Sequence, residues 1–530
     1  SQEYLAKELG ENWQDEYTIW DCCAGTGNME AGLTNKYKVW ASTLDQQDVD
    51  VMKERIGNGA NLLENHVFQF DFLNDSFDKL PEGLRQIVSD PEQRKKLVIY
   101  INPPYKEHAD AKQVAHSGKN MSGVAKETLV YSKSQSVIGT AARELFAQFL
   151  YRIATELPGC VIGQFSKLKS LQAPNFAKFR KVFKGLLSKK CFIVPANTFD
   201  NVKGSFPIGF FIWHMTGMDV FTHVAADVYE RDGHYVGTKD IYSYDDERSV
   251  VYWLRKYHDK KGEEIAYLRM LGTDMQNNRG VFVTNKLSDN DIKECLFTKI
   301  TRKNVFETCV YYAIRHVIEN TWLNDRDQFL YPSDACERDG EFYTDCVVFT
   351  VFDNFVQAEH GVNHWIPFTE EEVEARDCFE SHFMSDFLKG KVDVSTDAPQ
   401  SLFDGVASGN DCGAAGYPPS EASSAGGAMR GVRALPSRVV ISDEARAVLD
   451  AGRELWRYYH RQPKANPNAS YYDIRKFFQG VKVDAKGKEK MNATSGDADY
   501  NERLAALKQA MKELAAKIEP KVYEYGFLKK

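Results

Sequence analysis

Short apolar runs recur through the first 215 or so residues, separated by stretches with helical spacing. The runs Thr18–Ala24, Lys38–Leu44, Val67–Phe72, Leu97–Pro103, Cys160–Ser166, Cys191–Ala196 and Pro207–Met215 read as strands, being rich in β-branched and aromatic residues and bounded by turn formers. Between them, Ala141–Leu157 and Asn175–Leu187 place apolar residues at helical intervals. Alternating strands and helices predict a parallel, doubly wound α/β sheet. LVIYI (Leu97–Ile101) is apolar throughout, which suits a central strand buried on both faces.

Lys106 to about Thr140 breaks this rhythm with a polar stretch containing Gly118, Gly123 and Gly139 and five spaced lysines, the pattern of a long functional loop. Beyond residue 220 strands such as VFVTN near Val281 mix with an aromatic-rich helical stretch, Val305–Trp322. Residues 392–437 are dominated by Ala, Gly, Ser and Pro and read as a linker or mobile loop. The last segment, 438–530, is helical again: a capping signature at Ser442 opens Ser442–Tyr459, and Ala498–Ile518 is amphipathic.

Composition narrows the class. Hydrophobic content of 43% and charged content of 27% are those of a soluble globular chain, and 530 residues call for more than one domain. No apolar run reaches the roughly 20 residues that a membrane-spanning helix needs, so no membrane association is expected. The start SQEYLAKELGENWQDE is no signal peptide, and opening on Ser1 suggests a boundary with a further N-terminal piece before it. Ten scattered cysteines form neither a disulfide framework nor a zinc motif, so no metal is expected and a reducing cytoplasm is the simplest compartment. A net charge of −8 does not advertise a nucleic-acid binder, although one basic cleft on an acidic protein suffices for one.

Two constellations carry chemistry. The first is Asp21-Cys22-Cys23-Ala24-Gly25-Thr26-Gly27-Asn28, where a strand runs into a glycine turn ahead of helix-compatible residues. Glycines let backbone approach a ligand closely, and strand ends in such folds face it. Alone the turn is also a common structural joint. Asp45 ends the next strand, where a carboxylate would meet ribose hydroxyls, and Asp71, followed by Phe72, ends the third, where it could accept from an adenine amine. A dinucleotide turn would carry a third glycine; Glu30 stands there instead, which points away from NAD and towards S-adenosylmethionine.

The second constellation is Asn102-Pro103-Pro104-Tyr105 at the end of the fourth strand. Two prolines stop the strand and stiffen the turn. The Asn102 side-chain carbonyl and the Pro103 backbone carbonyl become fixed acceptors, with the flat face of Tyr105 beside them. Such acceptors can hold both hydrogens of an aromatic amine and turn its lone pair towards an electrophilic methyl group, by positioning and electrostatics.

In this order the residues resemble the amino-methyltransferase family, specifically N6-adenine DNA methyltransferases in which the cofactor motif precedes the catalytic one. Asp21–Asn28 is similar to that family's D-P-x-x-G-x-G-N loop, with Cys22 in place of the usual proline, and Asn102–Tyr105 matches its catalytic tetrapeptide unchanged. The resemblance implies a Rossmann-like, seven-stranded catalytic domain over residues 1–219, a mixed α/β target-recognition region over 220–391, the linker and the helical C-terminal region. It also implies S-adenosylmethionine bound by Asp21, Cys22, Ala24, Gly25, Gly27, Asn28, Asp45, Asp71, Phe72 and Asn102. Asn102, Pro103, Pro104 and Tyr105 would be catalytic, and Glu144–Tyr151 resembles the helix that walls the pocket. Phe199 resembles the aromatic residue that stacks on the extruded base, with Phe206 its rival. The family's N-terminal helix over the methionine part has no clear match before Tyr17 unless Ser1–Leu9 is its remnant. Implied partners are double-stranded DNA and a cognate restriction endonuclease, in a bacterial, phage or mobile-element setting. An RNA-adenine or protein-glutamine methyltransferase, the methyltransferase part of a bifunctional restriction enzyme, and a binding module without turnover remain as alternatives.

Overall fold

The computed structural model describes residues 1–104, 124–199, 202, 204–217, 219–244, 248–392, 439–484 and 489–530. They divide into two units, the first comprising Ser1–Asp246 with Thr321–Arg326 and the second Glu247–Asn320 with Asp327–Lys530.

Each run read as a strand forms one, mostly shortened where turn chemistry intervenes: β1 (Thr18–Asp21), β2 (Val39–Thr43), β3 (Val67–Gln69), β4 (Leu97–Ile101), β5 (Val161–Lys167), β7 (Phe192–Pro195) and β8 (Pro207–His214). β4 ends before Asn102 because Pro103 and Pro104 cannot donate to a neighbouring strand. The short β6 (Leu186–Leu187) and the longer β9 (His223–Tyr229) and β10 (Tyr235–Tyr242) join them. Among the described residues the sheet therefore has ten strands rather than seven, in the order β10-β9-β7-β8-β5-β4-β1-β2-β3 with β6 beside β8. β3, β2, β1, β4 and β5 run parallel, whereas β8 is antiparallel to both β5 and β7. Because β9 pairs with β7, the first compact unit extends past residue 219 to Asp246.

Strand alternation splits the core across the sheet. Ile19 and Val98 pack on one face with Leu5 of α1 (Gln2–Leu9) and Met52 of α2 (Gln46–Gly57). Trp20 and Ile99 pack on the other with Val130 of α3 (Leu129–Ile138) and with Phe146 and Phe149 of α4 (Leu145–Glu156). Two expectations for this unit are corrected. The polar stretch to Thr140 is not one loop: residues 105–123 lie outside the described residues, but Thr128 caps α3, which buries Val130, Ser134 and Ile138 at helical spacing. Asn175–Leu187 is not one helix either, because Pro174 opens a 3-10 turn, a helix covers only Ala177–Val182, and β6 follows.

In the second unit, β11 (Glu264–Arg269), β12 (Phe282–Thr284) and β13 (Phe297–Thr301) form an antiparallel sheet in the order β12-β11-β13. It shares one hydrophobic core with α5 (Val305–His316), α6 (Gly340–Val351), α7 (Asp443–His460) and α8 (Ala498–Glu524). The described residues from 248 to 391, apart from Thr321–Arg326, thus fall in one compact unit with the C-terminal helices. The expected linker lies outside the described residues except for its first residue, Val392. Eight cysteines are free, and no cluster fit for a metal occurs among the described residues. None of the described helices is long and apolar enough to cross a membrane.

Candidate active site

β1 lies between β2 and β4. After β1 the chain builds outward through β2 and β3, then returns to place β4 on the other side. That reversal opens a crevice at the carboxyl ends of β1 and β4, where ligands of doubly wound sheets bind. Asp21 ends β1, and Asn102 follows β4 directly. Both constellations meet there.

The glycine turn is held from below. Asp21 is buried, and its carboxylate accepts from the Cys23 N–H at 2.8 Å. The Ala24 N–H donates to the Ser42 carbonyl of β2 at 3.0 Å. Gly25 and Gly27 take φ values of +54° and +80°, which only glycine adopts readily. At Gly27 a Cβ would also come within 3.1 Å of Met52 Cγ, so backbone and α2 leave no room for a side chain. Arg55 of α2 ties the far side of the turn, donating to the Thr26 carbonyl and, at 2.9 Å, to Asn28 Oδ1.

Asn28, Met29 and Ala31 wall a cavity of about 740 Å³. Tyr100 and Asn102 form part of the same wall, as do Phe165 of β5 and Thr198 and Phe199 beyond β7. Phe199 meets the Phe165 ring edge-on at 5.3 Å, which fixes its orientation. Phe206, its rival, is not among the residues lining the cavity. Ser1, Gln2 and Glu3 at the start of α1 supply a further side. Ser1 Oγ lies 2.6 Å from the Tyr100 hydroxyl, and Gln2 Nε2 donates to the Ala31 carbonyl at 2.9 Å. Tyr4 and Glu8 anchor the rest of α1 on the sheet, through Asp227 of β9 and His214 of β8 respectively.

The other expected residues are placed unevenly. Asp45 is exposed and caps α2 without a side-chain hydrogen bond. Both Asp71 carboxylate oxygens are engaged in their own loop, one by the Leu73 N–H at 3.0 Å and the other by Asn74 Nδ2 at 2.8 Å. Phe72 turns into the core, stacked on Phe149 at 5.1 Å, and offers a ligand no ring face. Beneath that loop Arg152 of α4 donates to the backbone carbonyls of Phe72 and Asp75. Cys22 is buried, and burial raises its thiol pKa. Pro103 is buried, Pro104 exposed, and Tyr105 lies outside the described residues.

Sequence reasoning missed Tyr100, Met29, Ala31, Phe165 and Thr198, whereas Ser1–Leu9, raised there as a remnant of the family's N-terminal helix, does line the cavity with its first residues. Tyr100 had a usable signal, since it stands two residues before Asn102 on an alternating strand and so shares its side. A turn with two positive-φ glycines, the exposed Asp45 and a cavity walled by both Asn28 and Asn102 fit a nucleoside cofactor with an amino-acid tail.

No family model matches the chain, and no curated protein matches it. Solved structures with partial likeness include a DrdV–DNA complex determined by cryo-electron microscopy (16% identity, TM-score 0.29, 44% of this chain and 26% of that one). A type I restriction-modification methyltransferase subunit from Streptococcus thermophilus gives 14% identity and a TM-score of 0.28, over 42% of this chain and 44% of that one. The type IIL restriction-modification enzyme MmeI in complex with DNA gives 12% identity and a TM-score of 0.27, over 56% of this chain and 42% of that one. In each case the chain spans less than half of the other protein. Likeness at this level does not decide the activity, for which the residues of the crevice are the evidence.

Proposed function

We propose that the chain is an S-adenosylmethionine-dependent DNA methyltransferase acting on N6 of a flipped adenine. The observation that carries this is the meeting of three things in one cavity: the wall after the glycine turn, Asn102 of the tetrapeptide, and the Phe199 ring.

In this reading the turn from Asp21 to Asn28 holds the cofactor, Asp45 takes the ribose hydroxyls, and Asp71 lies towards the adenine end. When bound, the cofactor supplies an electrophilic methyl group on its sulfonium. The target base must leave the duplex to reach a recessed site. The Asn102 side-chain carbonyl and the Pro103 carbonyl accept the two amine hydrogens and draw the nitrogen lone pair towards the methyl group. Phe199 stacks on one face of the ring, and Tyr105 is assigned to the other. No strong base is needed, because the proton lost from the amine becomes acidic only after transfer. The second unit is assigned to target recognition, with double-stranded DNA the partner and a restriction endonuclease its functional companion.

Incubation with unmethylated bacterial DNA and labelled S-adenosylmethionine, followed by nucleoside mass spectrometry, tests this. N6-methyladenine is the expected product. Asn102→Ala should retain cofactor binding yet lose transfer by about 100-fold or more, the scale of losing one positioned polar group. Unlabelled DNA despite bound cofactor would redirect the site to RNA or a protein amide. Near wild-type turnover by Asn102→Ala would refute the mechanism.

A further inference from the structure

Glu30 is unexplained by the fold. It is 4% exposed, and both of its carboxylate oxygens lack a hydrogen-bond donor. An ionised carboxylate in that state is strongly penalised by desolvation. Met29 and Ala31, its neighbours in sequence, wall the cavity, although Glu30 itself does not line it. Asp21, 2% exposed, interacts with it from the end of β1. Around the pair stand Cys23 of the turn, Arg55 of α2 and Tyr100 of β4. The Cys23 thiol and the Tyr100 phenol are neutral, each pushed up first by the thiol contact or by burial, Tyr100 to about 12. Arg55 is committed to Thr26 and Asn28. Among the described residues no cation forms an ion pair with either acid, and Arg55 acts on Glu30 only from a distance, so a proton held between the two carboxylates would supply the donor that Glu30 lacks.

We infer that Asp21 and Glu30 share one proton in the free protein and release it to solvent when the cationic cofactor occupies the cavity, which makes Glu30 a cofactor-binding residue. This rests on the proposed function. The direction of the shifts agrees: burial pushes Glu30 up to about 7, and burial, then Cys23 and Glu30, push Asp21 well above the usual carboxylate range. A cationic cofactor bound in the cavity that Met29 and Ala31 line would favour the fully ionised pair, and linkage makes the effect reciprocal.

Titration calorimetry of S-adenosylmethionine binding, in buffers of different ionisation heat between pH 6 and 9, reads this directly. Wild type should release close to one proton per cofactor at the acid end and none at the alkaline end. Its affinity should fall about tenfold per pH unit below the midpoint. Glu30→Gln should release none and lose that pH dependence. Should this variant fail to fold, the slope of wild-type affinity against pH decides alone. A flat slope, or equal proton release by Glu30→Gln, overturns the pair while leaving the cofactor site standing. Absence of binding at every pH overturns the cofactor site itself and the pair with it.

Discussion

At the scale of single residues, Phe199 and Phe206 pose the sharpest choice. Both are half-buried aromatics in one short stretch, and only Phe199 lines the cavity with Asn102. Stacking of a base on an aromatic ring is worth about 1–3 kcal/mol, or roughly 5- to 150-fold in affinity. Phe199→Ala should therefore weaken capture of an extruded adenine by that factor, whereas Phe206→Ala should leave it within about twofold. Fluorescence of 2-aminopurine at the target position reads extrusion, and equal loss in both variants would remove Phe199 from the base-binding role. The positions of Asp21 and Asn102 at strand ends were legible because strand ends and proline turns are set by neighbours in sequence. Phe72 was not, because its burial depends on Phe149, contributed by a distant helix. Glu30 was visible only as a missing glycine; its isolation from donors is a property of the folded turn.

Elements show the same division. Apart from β6, which lay in a run read as helix, the strands from β1 to β8 were legible from their apolar runs, since central strands are covered on both faces. β9 and β10 were missed: β9 buries only alternate residues, and β10 is largely exposed, so neither makes a continuous apolar run. Helix α5 is the opposite extreme, buried from Val305 to Arg315. Glu307 lies inside it with 0% exposure and no donor to either oxygen, and burial pushes its carboxyl up to about 8. An acid whose pKa is raised on folding binds its proton more tightly in the native state, so stability falls as pH rises between the unfolded and folded values. For Glu307 that window runs from its ordinary value of 4.5 to about 8. Glu307→Gln keeps the shape and removes the titration. Its unfolding midpoint should match wild type near pH 5 and exceed it increasingly up to pH 8, as read by denaturant titration of the second-unit transition. A constant difference between the two proteins across that range would show that Glu307 does not titrate as argued.

For the whole molecule, the decisive question is where the first unit can be cut, and strand pairing bears on it. Cutting after residue 219 removes β9, which pairs with β7, together with the buried Val224, Ala226 and Val228. It would leave β7 as a bare edge flanked by exposed apolar side chains, the usual route to aggregation. Cutting after Asp246 keeps β9 and β10, but it also removes Thr321–Arg326, whose Trp322 and Leu323 pack against the core of the first unit. Covering apolar surface contributes about 25 cal/mol per Å², so two large side chains are worth a few kcal/mol even when partly buried. A chain of residues 1–246 joined by a short flexible linker to 321–326 should therefore be monomeric and bind S-adenosylmethionine. The same chain without the segment should bind it but melt several degrees lower, and residues 1–219 should aggregate. Size-exclusion chromatography with thermal unfolding, each with and without cofactor, separates the three. Equal stability for residues 1–219 and 1–246 would mean that β9 and β10 decorate the sheet instead of completing it, in keeping with the boundary expected from sequence.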